Sequence, residues 1–337
     1  SCLIALSVGC PKLAAAQGDA AGYRLSKTIR LGGNGSWDYL IADSAARRLY
    51  VTHYDRITVL DLDNGQVVGE IGGLQGVHGV AIDRESGRGF ASNGKADSIS
   101  IFDLQSLQVI GQAATGRNPD AIVYEPLTRR VFAFNHSGGD VTVINAGDGS
   151  AAGTVEVGGE LEYAVSDDAG TLFVNVEDRS EIVRINRQLE IVSRWPLAPC
   201  EEPTGLALDH LNRRLFSTCG NGMLLVVDAD DGHIVSKLPI GNGCDGVRFD
   251  SKTRRIFTSN GQGTLSIIQQ DAADQYRLLG DVPTQRGART LELDLPTHRI
   301  FTATANLGPM PEARPGERAR PEILPDSFVV LEYSLAP

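Results

Sequence analysis

Seven polar side chains recur along the 337-residue chain at a nearly constant step: Asp38, His78, Asp120, Glu162, Thr204, Asp245 and Arg289, separated by 40, 42, 42, 42, 41 and 44 residues. If each starts the innermost strand of a repeated unit arranged round an axis, all seven ring one narrow channel mouth. Four carboxylates, one imidazole and one guanidinium then share a confined space, and the excess negative charge needs compensation. Arg289 is able to pair with Asp245 or Asp38. The other carboxylates can stay hydrated, share protons at raised pKa, hold a hard divalent cation or meet a charged ligand. An imidazole beside carboxylates can move a proton near neutral pH, so His78 is the first catalytic candidate and His136 the second. A channel histidine that only hydrogen-bonds water accounts for either residue equally well.

A second row follows one strand later: His53, Asn93, Asn135, Val176, Cys219, Asn260 and Thr304. Asn carbonyls beside carboxylates suit calcium or magnesium, whereas zinc prefers several imidazoles or thiolates. The candidate metal ligands are therefore Asp38, Asp120, Glu162, Asp245 and Asn135, with calcium or magnesium ahead of zinc. Asn93 and Asn260 precede glycine, and a turn with positive φ explains those two at least as well.

The elements that must position these rows are legible from two further ones. An aromatic recurs at Tyr50, Phe90, Phe132, Phe173, Phe216, Phe257 and Phe301, and an acid at Asp43, Asp83, Glu125, Asp167, Asp209, Asp250 and Asp294. The acid stands seven residues before the aromatic except in the fourth unit, where it is six. Two rows keeping one period mark a repeat architecture. Each unit holds short β-rich runs, in the first copy YLIAD, LYVTHY, ITVLDL and VVGEI, with pairs such as Asn64-Gly65 and Asp231-Gly232 marking hairpins. Four strands in some forty residues is a propeller blade, which predicts an all-β, seven-bladed β-propeller of four-stranded antiparallel blades over residues 23–337. The aromatics are expected between blades, and the acids at the turns after the inner strands. The last unit lacks a fourth strand while a spare one, LSKTIRL, precedes the first unit; the N-terminal strand is thus expected to join the last blade and close the ring.

The segments RRLYVTHY and ITVLDLDNGQVVGEI resemble the YVTN-repeat propellers, the YncE-like family, over about residues 23–337, and GVHGVAID, RNPDAI, PCEEPTGLALD and PTQRGARTLELD resemble one exported bacterial subgroup of it. That resemblance implies the fold. Related propellers include metal-dependent lactonases, lyases and plain binding modules, so it implies no single activity.

Composition bounds the partners. With a formal net charge of -11 the chain lacks the clustered cations that grip a phosphate backbone, so nucleic acid is not expected. Residues 1–16 read as a truncated signal peptide, with an apolar run from Leu3 to Val8 and cleavage expected after Ala16; Cys10 lacks the aliphatic residue a lipobox wants. No other stretch approaches a membrane span. A periplasmic or secreted monomer is expected, with a disulfide between Cys200 and Cys219, which flank the fifth unit's first hairpin, and Cys244 as a competitor for Cys219. In the last unit a Pro-rich segment, 305–327, replaces a short loop; it is expected over the channel mouth, with Arg314, Arg318 and Arg320 facing an anionic ligand or the carboxylates. A spacing of G-x-G-x-x-G at Gly241–Gly246 opens no helix and carries no phosphate site.

Two functions follow from these residues. One is a binding propeller that receives a small molecule, peptide or partner protein at the mouth; the other is a divalent-metal-dependent hydrolase or lyase using the same mouth.

Overall fold

A computed structural model describes residues 20–311 and 320–336. The signal-peptide reading, Cys10, Arg314 and Arg318 lie outside these residues. The described chain forms seven four-stranded antiparallel sheets, each built from strands consecutive in sequence except one. The exception runs Tyr23–Arg30, Val329–Leu335, Arg299–Thr304, Leu291–Asp294 from the outside inward, so the first strand of the chain completes the last blade. Tyr23 pairs with Leu335 and Arg30 with Val329. The outer edge of that blade is thereby covered, and the two ends of the chain lock the ring.

Inner strands Trp37–Asp43, Val77–Asp83, Pro119–Glu125, Leu161–Ser166, Pro203–Asp209, Cys244–Asp250 and Leu291–Asp294 each touch the next, and the last touches the first. They line the axis. All seven row aromatics are at most 1% exposed. Each inserts into the hydrophobic cluster of the following blade: Tyr50 with Val77 and Val80, Phe132 with Leu161 and Ala164, Phe301 with Leu40 and Val51. Burying an aromatic at every seam supplies the apolar area that holds blade to blade.

The acidic row does two jobs at the far ends of the inner strands. Asp43, Asp83, Glu125, Asp167, Asp209 and Asp250 accept backbone N–H bonds from the turn that follows, and Asp294 accepts the Thr297 hydroxyl. Most also reach the next blade: Arg84 meets Asp43, Arg213 meets Asp167, Gln270 meets Asp209, and Arg47 meets Asp294 at 2.9 Å across the closure seam. His298 bonds the buried Asp250 at 2.6 Å and joins the seventh blade to the sixth.

Cys200 and Cys219 are bonded, Cα to Cα 5.4 Å, and Cys244 is a buried free thiol. The described parts of the Pro-rich segment are tied at the base by a bridge between Leu307 and Ile323 and by Gly33 N–H donating to Asp326. Phe328, just beyond it, stacks on His53 with centroids 4.2 Å apart.

Candidate functional site: the channel mouth

A recurring irregularity in the inner strands sets the site. In the first blade Trp37 pairs with His53 and Leu40 with Val51, so Asp38 and Tyr39 share one partner position. The same shift falls at Val77/Val80, Pro119/Ile122, Leu161/Ala164, Pro203/Leu206 and Cys244/Gly246. A bulge leaves its extra residue out of the ladder, bends the strand and re-aims the side chain. Here that side chain is the row polar residue in every case.

The structure brings four of these side chains, together with His136, into one chain of contacts. His78 Nδ1 stands 2.6 Å from Asp38 Oδ2 and 3.7 Å from Asp120 Oδ1. His136, at the end of the third blade's second strand, puts Nδ1 3.2 Å from Glu162 Oε2 and 3.1 Å from the Leu161 carbonyl. Asp38, His78 and Asp120 form one group whose donor atoms lie within 4.8 Å of one another, and Asp120, His136 and Glu162 form a second. Asp120 belongs to both. Its Oδ1 is buried without a hydrogen-bond partner. A third group, His136, Glu160 and Glu177, carries the chain outward to an exposed carboxylate.

Arg289 closes the other side. Its Nε lies 2.7 Å from Asp245 Oδ2, one Nη donates to the Trp37 carbonyl at 2.9 Å, and the same nitrogen is 3.6 Å from Asp38 Oδ1. Two candidates stand apart. Thr204 turns inward, its hydroxyl donating to the Cys244 carbonyl at 2.5 Å. Asn135 directs its amide nitrogen to Asp140 at 2.8 Å and Thr142 at 3.0 Å in the neighbouring strand of its own blade, as Asn93 does to Ser100 and Asn260 to Ser266. The asparagine row thus stitches strand to strand.

Crowding charges in a partly dry mouth moves their protonation. Burial disfavours the His78 cation, but Asp120 and the hydrogen bond donated to Asp38 outweigh it and carry the imidazole up to about 9. His136 rises to about 9, chiefly through its bond to Glu162. Burial lifts Asp120 to about 6, and burial together with Asp120 lifts Glu162 to about 8. These titrations belong to the set and not to single residues. At neutral pH the mouth therefore stores protons, balancing carboxylates with imidazolium groups.

Two features below the mouth escaped the sequence reading. One residue further along the inner strands, Tyr39 and Tyr163 meet edge to face with centroids 4.9 Å apart and plug the channel. Both are pushed above the usual phenol range, first by burial. Deeper still, Arg248 bonds Glu292 at 3.0 Å and the Tyr163 hydroxyl at 2.6 Å. Aligning the units would have exposed the plug: the same position holds Gly79, Ala121, Gly205, Gly246 and Thr290 elsewhere. At Gly246 a Cβ would stand 2.8 Å from the Leu291 nitrogen, so the neighbouring inner strand excludes a side chain there. Beyond the plug, at the far end of the inner strands, a cavity of about 320 Å³ is lined by Tyr163, Arg248, Tyr124, Asp168 and His210.

No family model and no curated protein matches the sequence. Solved structures do match in shape. The chain is similar to hydrazine synthase of Kuenenia stuttgartiensis, TM-score 0.72 at 15% identity over 83% of this chain and 96% of that one. It is also similar to U3-55K, TM-score 0.73 at 14% identity over 93% and 98%, and to the RRP9 WD40 repeats, TM-score 0.75 at 14% identity over 93% and 98%. At such identities the likeness carries architecture alone. The chain is a seven-bladed β-propeller of four-stranded blades.

Proposed function

We propose that this chain is an exported, YncE-like YVTN-repeat propeller that binds a small polar ligand at the upper mouth of its channel. The observation that carries the reading is the Oδ1 of Asp120, buried without a hydrogen bond and with His78 no nearer than 3.7 Å, in a ring whose other carboxylates are closely paired. A buried acceptor without a donor is costly, and a ligand that supplies an N–H or O–H there removes the cost. The ring rejects purely apolar ligands for the same reason. Asp38, His78, Asp120, Glu162, Asp245 and Arg289 are the binding residues, and Tyr39 with Tyr163 forms the floor. Export is supported by the Cys200–Cys219 bond, which persists in oxidising compartments; among the described residues no helix is long and apolar enough to cross a membrane.

A melting-temperature screen of amines, amino acids and polyols tests the reading. A binder is expected to raise the melting temperature of the wild type and to lose most of that effect in Asp120→Asn, whose amide gives the site a donor where it had an acceptor. If every stabilising compound acts equally on Asp120→Asn, the mouth is not the binding site.

One observation favours a second reading, a divalent-metal-dependent hydrolase of the lactonase type or a lyase. The two His-carboxylate groups hold three donors each within 4.8 Å. Asp38, His78, Asp120, His136 and Glu162 would hold the metal, which supplies Lewis acidity and an acidified water when bound. A carboxylate not engaged by it, Asp245 with Arg289, would orient substrate.

A further inference from the structure

The arrangement of the two His-carboxylate groups carries more than one ion's worth of information. Each contains one imidazole nitrogen and two carboxylates, each draws on inner-strand starts of adjacent blades, and they share a single residue, Asp120. Ligands about 2.1 Å from one ion stand about 3.0 Å apart in octahedral and about 3.4 Å apart in tetrahedral geometry. The 3.2 Å between His136 and Glu162 and the 3.7 Å between His78 and Asp120 fall close to those edges. The 2.6 Å contact of His78 with Asp38 is shorter, that of a hydrogen bond, and must open by about half an ångström when both ligate.

We propose that the mouth binds a pair of first-row divalent transition-metal ions bridged by the carboxylate of Asp120, one ion held by Asp38 and His78, the other by His136 and Glu162. This rests on the metal reading above and deepens it. Three observations converge. Asp120 is common to both groups, and no other residue is common to those two. Asp120 Oδ1 is buried, 9% of the residue being exposed, and lacks a hydrogen bond, leaving a lone pair that coordination to a cation would engage. The donor set of one imidazole and carboxylate oxygens at each position favours manganese or iron over calcium, which takes six to eight oxygens, and over zinc, which prefers several imidazoles or thiolates. Charge agrees as well: Asp38, Asp120 and Glu162 offset three of the four positive charges, a bridging hydroxide offsets the fourth, and Arg289 already balances Asp245. Paired ions about 3.5–4 Å apart clamp an oxygen nucleophile between them, so the class of ligand is an ester, lactone or phosphate oxygen presented to the mouth.

The test uses manganous ion as the probe on the intact chain after chelator treatment. Equilibrium titration is expected to give two ions per chain, and electron paramagnetic resonance the multiline spectrum of an exchange-coupled pair. Asp120→Asn should abolish the coupling and bind the second ion at least tenfold more weakly. Glu162→Gln, which keeps the side chain's shape, should lose one ion and keep one. Circular dichroism melts check that each variant folds, and Asp231→Asn, in the separate group of Asp228, Asp231 and His233, should leave the count of two and the coupled spectrum unchanged. One mouth ion per chain in the wild type overturns the bridged pair while leaving the metal reading standing. No bound ion overturns both. A coupled pair that survives Asp120→Asn overturns the bridging role.

Discussion

Asp120 is the residue on which the mouth turns, because it faces His78 on one side and the His136–Glu162 pair on the other. The linkage consequences have one sign. A group whose folded pKa lies above its unfolded value binds more protons when folded, so stability falls as pH rises through the interval between the two. For Asp120 that interval runs from the ordinary carboxylate value to about 6, for Glu162 to about 8, and for both imidazoles from 6.5 to about 9. Metal-stripped protein is therefore expected to lose melting temperature from pH 5 to pH 9, the folded chain holding roughly two more protons than the unfolded one near neutrality. In Asp120→Asn the slope should shrink by about half. A flat profile in the wild type would mean that these groups are not held together. Asp294 works in the opposite sense: burial raises it, but Ser44, Thr297 and Arg47 outweigh that and hold it below the usual carboxylate range, so its contribution is lost at the acid end.

At the scale of elements, the strand Tyr23–Arg30 is the latch. It supplies the outer edge of the last blade, and Tyr23 packs on Phe257 of the sixth blade with centroids 5.1 Å apart. Deleting it is expected to lower the melting temperature by on the order of 10 °C and to produce oligomers through the uncovered Val329–Leu335 edge, as size-exclusion chromatography would report. An unaltered monomer would show that the acid-end staple of Arg47 on Asp294 suffices for closure. This latch was legible in the sequence because a missing strand at one end and a spare one at the other are matters of counting. So were the Cys200–Cys219 bond and the buried aromatics, since both follow from position within a repeated unit. What escaped depended on direction. The Asn row shares its period with the carboxylates, but which way a strand-end side chain turns is decided by the partner strand: Asp140, Ser100 and Ser266 hold the amide nitrogens, while Asn135 and Asn93 keep a buried Oδ1 without a hydrogen bond.

For the whole molecule, the ring geometry converts seven distant positions into neighbours. Residues some 40 apart in sequence meet because six of the seven inner strands carry a bulge at the same height and the strands close on themselves. The plug of Tyr39 and Tyr163, from blades nearly opposite one another, separates the mouth from the cavity at the far end and makes the mouth a blind site. Period and composition located the ring; they did not reveal which of its members touch, since that depends on rotamers within a crowded mouth. The convergence itself is most directly measured by following the imidazole resonances of His78 and His136 with pH, in wild type and in Asp120→Asn. Both are expected to titrate near 9 in the wild type, and Asp120→Asn is expected to lower both, His78 the more, because Asp120 is the largest influence raising His78 whereas His136 keeps its bond to Glu162. Titration of either imidazole at 6.5 or below in the wild type, or a substitution that moves neither, would contradict it.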